Sequence, residues 1–248
     1  MKVLALIPAR MGSSRFPGKP MEKINGTPMI GHVFNRVKKC NDIDDVIVAT
    51  CDKIIFDYVH SIGGTAIMTS NLHERASDRC AEALQITEKE KNISYDIVVM
   101  IQGDEPMIEP EMITESLGPF YIDSTVKVTN LVADIENLEE FNDPNCIKVV
   151  CDKFLNALYF SRQAIPSTQI TKNICMQKQV CVIPFKRDFL IEYTKMEPTP
   201  LEIYESVDMM RVLESGYKVK MIPTKFQTHA VDTPEDLAKV AKLMNDKN

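Results

Sequence analysis

Val3-Leu4-Ala5-Leu6-Ile7-Pro8-Ala9-Arg10-Met11-Gly12-Ser13-Ser14-Arg15-Phe16-Pro17-Gly18-Lys19-Pro20 is the stretch on which the fold turns. Its opening apolar run is too short for a secretory leader, and no small-residue cleavage site follows before Arg10, so it reads as a buried first strand. The strand runs into a loop in which Arg10, Arg15 and Lys19 stand among Gly12, Ser13 and Gly18. Small residues let the backbone curl until successive amides face one anion, and the cations add the charge a triphosphate demands. The spacing is neither that of a Walker loop nor that of a dinucleotide fingerprint. A cationic loop at the C-terminal end of a strand is nevertheless where open α/β sheets bind ligands.

Outward from that loop, short apolar runs recur at residues 46–49, 66–69, 97–101 and 126–132. Between them, residues 29–39 and 77–90 carry apolar side chains at three- and four-residue spacing, so strand and helix alternate. Strands apolar on both faces and separated by helices predict an α/β fold with a mostly parallel, Rossmann-like sheet. From about residue 147 the pattern changes: residues 147–151 and 157–160 flank Asp152-Lys153-Phe154-Leu155-Asn156 as a hairpin, and a mixed or antiparallel extension is expected. Residues 166–179 are polar and aperiodic, and are expected to form a mobile loop or an arm on a second subunit. Thr233 and Pro234, as N-cap and first helical residue, open a final helix through Met244. The expected organisation is one domain over residues 1–248, with a nucleotide-binding half to roughly residue 145, a lobe over roughly 146–230 and the helical stretch 231–248.

The 248 residues are 44% hydrophobic and 26% charged, ordinary values for a chain with a full core. A net charge of -6 argues against nucleic acid or an anionic membrane as partner and leaves a small molecule or a protein. No apolar stretch approaches the roughly 20 residues that span a bilayer. Seven cysteines without a Cys-x-x-Cys pair fit a reducing, cytoplasmic compartment better than a disulfide framework.

Two acidic motifs complete the chemistry. Gln102-Gly103-Asp104-Glu105-Pro106 follows the apolar run 97–101 directly, and a carboxylate there is placed to hold Mg²⁺ against phosphates. Val231-Asp232-Thr233-Pro234-Glu235-Asp236-Leu237 puts a second carboxylate just before the last helix. The four histidines, His32, His60, His73 and His229, show no triad or metal-site spacing.

With the loop, these motifs resemble the cytidylyltransferases that activate 3-deoxy-manno-octulosonate. The resemblance runs in order along nearly the whole chain, through Ile7-Pro8-Ala9-Arg10, Ser14-Arg15-Phe16-Pro17-Gly18-Lys19-Pro20, Asn25-Gly26-Thr27-Pro28-Met29-Ile30, Val48-Ala49-Thr50, Gln102-Gly103-Asp104-Glu105-Pro106-Met107-Ile108, Ala157-Leu158-Tyr159-Phe160-Ser161-Arg162 and Val231-Asp232-Thr233-Pro234-Glu235-Asp236-Leu237. It implies a nucleotide-diphospho-sugar transferase type of fold, a dimerisation lobe in the second half and a homodimer. It implies that Ala9, Arg10, Gly12, Ser13, Lys19, Arg79, Gln102 and Asp104 bind CTP, that Asp104 and Asp232 hold Mg²⁺, and that Arg10, Lys19, Asp104 and Asp232 carry catalysis. The acceptor would meet Arg15, Arg75, Gln102, Arg162, Gln179, Glu205 and Asp208.

Departures from the family fall on the acceptor side. Where the family has Ser-Gly-Thr-(Asp/Glu)-Arg, this chain has Arg75-Ala76-Ser77-Asp78-Arg79. The family's His-(Ile/Leu)-Gly-(Ile/Leu)-Tyr strand becomes Gln179-Val180-Cys181-Val182-Ile183, and its Leu-Glu-Gln-Leu-Arg becomes Val207-Asp208-Met209-Met210-Arg211. Leu201, Glu202, Glu205 and Arg211 match, which predicts that the helix there is kept. CMP transfer from CTP to 3-deoxy-manno-octulosonate or a related keto-deoxy acid is the expected reaction. The alternatives are another anionic acceptor, such as a nonulosonic acid, a phosphonate or a phosphorylated metabolite, and a non-catalytic nucleotide-binding protein.

Overall fold

The computed structural model describes residues 1–13, 15–171 and 174–246. Ser14 of the cationic loop, residues 172 and 173 of the polar 166–179 segment, and residues 247 and 248 of the 231–248 stretch lie outside the described residues. The chain divides into two compact units, residues 1–114 with 228–248, and residues 115–227.

The first unit is built on β1 (Val3–Ala9), whose seven residues are all buried. A strand apolar on both faces needs neighbours on both edges and cover on both sides. β2 (Lys23–Ile24) and β3 (Thr27–Pro28) form a small hairpin around Asn25 and Gly26, at φ of 51° and 88°. Then come α1 (Met29–Val37), β4 (Asp45–Thr50), α2 (Lys53–Ser61), β5 (Thr65–Met68), α3 (Ala76–Lys91) and β6 (Ile97–Ile101). Within this unit the strands run β6-β1-β4-β5, every pairing parallel. Registers such as Ala9↔Thr50 and Thr50↔Met68 bring the C-terminal ends of β1, β4 and β5 level on one edge. The expected parallel sheet is present, and the loops that follow its strands share that edge.

An acid-sensitive contact ties the other edge. Asp45, at the start of β4, accepts a 2.5 Å hydrogen bond from the Tyr95 hydroxyl and pairs with Lys91 at the end of α3. Partial burial favours the neutral acid, but the bonds from Lys91 and Tyr95 outweigh it and hold the Asp45 carboxyl below its ordinary value of 3.8. A depressed carboxylate pKa contributes stability above the unfolded value, and this is lost as pH falls through the folded one. Asp45→Asn should therefore cost about 1 kcal/mol near neutral pH. In urea unfolding series the gap to wild type should close as the pH falls below 3.8 and through the depressed folded-state pKa.

After α4 (Pro110–Ile122), the second unit contains β7 (Thr129–Asp134), α5 (Leu138–Asn142), β8 (Lys148–Cys151), β9 (Ala157–Ser161), β10 (Gln177–Val180), β11 (Val182–Lys186), α6 (Arg187–Tyr193), α7 (Pro200–Glu205), α8 (Met209–Glu214) and β12 (Lys220–Pro223). Its sheet runs β12-β7-β10-β8-β9, with β12 parallel to β7 and the other pairings antiparallel. The 152–156 hairpin connection is closed by Asp152 N–H donating to the Asn156 carbonyl at 2.9 Å.

Several boundaries differ from those read in the sequence. The mixed sheet begins before residue 147, because β7 pairs with β10 and β12; an apolar run cannot by itself reveal which sheet it joins. The polar segment expected to stay irregular through Gln179 is a strand from Gln177, since β7 and β8 supply backbone partners on both edges. The 179–183 run is two strands, β10 and β11, broken at Cys181. The single helix expected around Leu201 and Arg211 is two, α7 and α8, separated where Ser206 adopts φ 51° and donates its N–H to Glu202. Arg211 bridges that break with a buried bidentate pair to Glu202, at 2.7 and 2.8 Å.

The chain returns to the first unit in α9 (Pro234–Asp246). Thr233 and Asp236 cap it reciprocally: Asp236 N–H donates to Thr233 Oγ1 at 3.2 Å, and Thr233 N–H to Asp236 Oδ2 at 2.9 Å. Its apolar stripe, Leu237, Val240, Ala241 and Met244, packs with Phe16, Ile24, Met29, Met107 and Val231. Among the described residues no helix is long and apolar enough to cross a membrane.

Candidate active site

The cationic loop leaves β1 and folds back on itself. Ser13 N–H and Gly18 N–H both donate to the Met11 carbonyl, at 3.0 and 2.9 Å, and Gly18 takes φ 79° before a single 3-10 turn at Lys19–Met21. A left-handed residue at that bend is readily glycine, since a side chain there is strained. Asp52, just past β4, accepts the Met11 N–H at 2.7 Å and pins the base of the loop. Ser13 Oγ accepts from Phe16 N–H at 3.3 Å, and Phe16 packs into the α9 cluster.

Beside the loop, the turn after β6 carries Gln102, Gly103 and Asp104. A Cβ on Gly103 would lie 2.9 Å from the Pro8 carbonyl oxygen, so the close approach of this turn to β1 requires glycine. The Asp104 carbonyl accepts the Val231 N–H at 2.9 Å, which brings the residue before α9 alongside the turn after β6.

Three chain segments meet on Lys19. Its ammonium donates to Asp104 Oδ2 at 2.7 Å, to the Val231 carbonyl at 2.9 Å and to Asp232 Oδ1 at 3.2 Å. Arg15 reaches the same Asp232 oxygen at 3.0 Å. Burial opposes the Lys19 charge, but Asp104 and Asp232 outweigh it and raise its pKa above 10.5. Asp236 Oδ2 accepts Asp232 N–H at 3.1 Å and steadies that residue from behind. Two carboxylates separated by more than a hundred residues of sequence thus converge on one cation.

Of the other expected nucleotide contacts, Ala9 is buried at the end of β1, and Gly12 is exposed with nothing near its missing Cβ. Gln102 follows β6 and accepts Glu105 N–H on its carbonyl. Arg10 is exposed and donates to the His73 carbonyl at 3.4 Å. Arg79 is buried, and its terminal nitrogens go to Thr69 Oγ1, the Ser70 carbonyl and the His73 carbonyl. Arg75 is the N-cap residue of α3.

The remaining acceptor-side residues belong to the second unit. Arg162 gives its side chain to the carbonyls of Glu205, Pro144 and Ser206, and its N–H to Glu205 Oε2. Glu205 also accepts from Tyr159 and Ser161. Gln179 donates its amide to Asn130 Oδ1 at 2.5 Å, and Asp208 is the N-cap residue of α8. Ile183 and Met209, where the chain departs from the family, are 3% and 0% exposed, which makes them core side chains rather than an open apolar surface.

Sequence reading missed Asp52, Asp236, His73 and Glu82 as supports of these groups. The Thr-x-x-Asp spacing before α9 signals Asp236, but the partners of Asp52 and Glu82 lie on other loops and leave no local pattern.

A cytidylyltransferase family model matches residues 4–222. The 3-deoxy-manno-octulosonate cytidylyltransferase of Fusobacterium nucleatum is 44% identical over 100% of this chain and 99% of that protein. That of Geobacter metallireducens is 40% identical over 99% of this chain and 98% of that protein. A solved CMP:2-keto-3-deoxy-manno-octonic acid synthetase complexed with CTP superposes with a TM-score of 0.91 at 35% identity, covering 100% of both chains. The 4-diphosphocytidyl-2C-methyl-D-erythritol synthase of Anaerococcus prevotii, 14% identical with a TM-score of 0.62, shares the fold. The chain is therefore a CTP-dependent nucleotidyltransferase and belongs to the 3-deoxy-manno-octulosonate cytidylyltransferase family.

Proposed function

We propose that this enzyme transfers CMP from CTP to 3-deoxy-manno-octulosonate and releases pyrophosphate. The observation that carries the reading is the cluster of Lys19, Asp104 and Asp232 beside the loop after β1. The burial of Ile183 and Met209 favours the sugar acid over a different anion, because two of the departures from the family then repack a core instead of recasting a pocket.

In-line attack of an acceptor oxygen on the α-phosphorus asks for placement and charge compensation, not for a protein nucleophile. Arg10, Ser13 and Lys19 hold the triphosphate beside Gly12, and Ala9 and Gln102 line the nucleotide. Asp104 and Asp232 fit a hard divalent cation of the kind this family uses, since their oxygens already meet on one ammonium and phosphate oxygens would complete its shell. Mg²⁺ bound there would supply Lewis-acid polarisation and lower the pKa of the acceptor hydroxyl. Lys19 compensates the charge that develops on pyrophosphate. Arg15 and Arg75 are the first unit's acceptor contacts in this reading, and Gln179, Arg162, Glu205 and Asp208 are those of the second. We read the enzyme as a cytosolic homodimer; Leu158, 61% exposed on the edge strand β9, supports a contact on the lobe.

The test is an acceptor screen that follows pyrophosphate release with CTP against the other nucleotides. A kcat/KM of about 10⁵ M⁻¹s⁻¹ is expected for 3-deoxy-manno-octulosonate. Phosphonates, phosphate esters and nonulosonic acids should fall at least about 100-fold lower. Poor turnover of the sugar acid, rescued by one of those anions, would overturn the assignment.

A further inference from the structure

The segment between β5 and α3 is held by side chains that no step above uses. One backbone oxygen, the His73 carbonyl, receives Arg10 Nη1 at 3.4 Å and Arg79 Nη2 at 3.3 Å. That carbonyl is itself fixed by a second set of contacts. Glu82 Oε2, on α3, accepts the Ser70 N–H at 2.8 Å and pairs with the His73 ring Nε2 at 2.6 Å. A carboxylate only accepts, so the His73 ring donates through Nε2. A single oxygen on a regular helix thus anchors both ends of residues 70–73. Arg79 braces the same stretch from the buried side, through Thr69 Oγ1 and the Ser70 carbonyl.

We propose that His73 and Glu82 are positioning residues for the nucleotide: their pair fixes the His73 carbonyl, which orients Arg10 toward the triphosphate. The proposal rests on the reading of Arg10 as a phosphate ligand. The chemistry of the holding group supports it. Lys19 is held by two carboxylates, whereas Arg10 is held by a neutral carbonyl. A carboxylate beside Arg10 would compete with phosphate for the guanidinium; a carbonyl sets its direction and leaves its charge available. A long, exposed side chain tethered in this way loses less freedom when the anion arrives.

The test compares His73→Ala, His73→Gln and Glu82→Gln by calorimetric titration with CTP and by steady-state kinetics. His73→Ala and Glu82→Gln should each weaken CTP binding about tenfold. The KM for the acceptor and the Tm should stay near wild type, which separates positioning from a general loss of structure. His73→Gln, whose amide nitrogen can stand near the imidazole Nε2, should recover most of the affinity. In an Arg10→Ala background, Glu82→Gln should cost little further, since both changes act through one side chain. CTP affinity within about twofold of wild type in both His73→Ala and Glu82→Gln would overturn the proposal. So would a Glu82→Gln loss that persists in full without Arg10. A wild-type protein that turns over the sugar acid while these variants bind CTP normally leaves the function standing and removes only the positioning role; a wild type that binds no CTP removes both. Should His73→Ala fail to fold, the Glu82→Gln and His73→Gln pair carries the same comparison.

Discussion

Asp104→Asn and Asp232→Asn are each expected to lower turnover at least about 100-fold while the fold survives. The substitution keeps the shape of either side chain and removes a negative charge at the point where three segments converge. The structural ties do not depend on that charge: the Asp104 carbonyl still accepts Val231 N–H, and Asp232 N–H still donates to Asp236. What is lost is one of two hard oxygen ligands that a divalent cation would use beside the phosphates. The effect should therefore fall more on kcat than on the KM for CTP, and raising the Mg²⁺ concentration should recover part of it. Circular dichroism and urea unfolding establish that the variants are folded; pyrophosphate release measures the loss. Near-wild-type turnover in both variants would remove the metal assignment, and a loss in only one would restrict it to that carboxylate.

Lys19→Ala is the second large effect. It should weaken CTP binding and slow the chemical step together, with a combined loss in kcat/KM of about 100-fold or more. Lys19 joins the loop after β1 to Asp104 and Asp232, so its removal leaves two partly buried carboxylates facing one another without their ammonium. In the wild type the Lys19 pKa is held above 10.5, so its loss of charge should not limit activity below about pH 10. If Lys19→Ala changed acceptor affinity alone, the loop would belong to the other substrate.

How much of this was legible beforehand depends on the range of the interaction concerned. The parallel sheet of the first unit follows from β1, β4 and β6, whose apolar character on both faces is a local property of the chain. The helix start at Thr233 was equally local, because a capping residue and its partner lie within one turn. The acidic and basic motifs after β1, after β6 and before α9 identified the residue types, and parallel pairing sends the ends of β1 and β6 the same way.

The second unit was less readable, since strand pairing there is set by partners far along the chain. β10 carries polar residues that local hydrophobicity assigns to a loop, and becomes a strand because β7 and β8 flank it. The break between α7 and α8 turns on one left-handed residue, Ser206, whose type does not announce that conformation.

By itself, then, the sequence determined the class of fold and the residue types that follow β1, follow β6 and precede α9, because periodicity and residue chemistry are written along the chain. Only the tertiary structure decided that Lys19, Asp104 and Asp232 meet on one nitrogen, that Ile183 and Met209 are core, and that Glu82 holds the loop on which Arg10 rests. These are matters of a few ångströms between segments far apart in sequence, fixed by strand register and by the packing of α9, and no local pattern carries them.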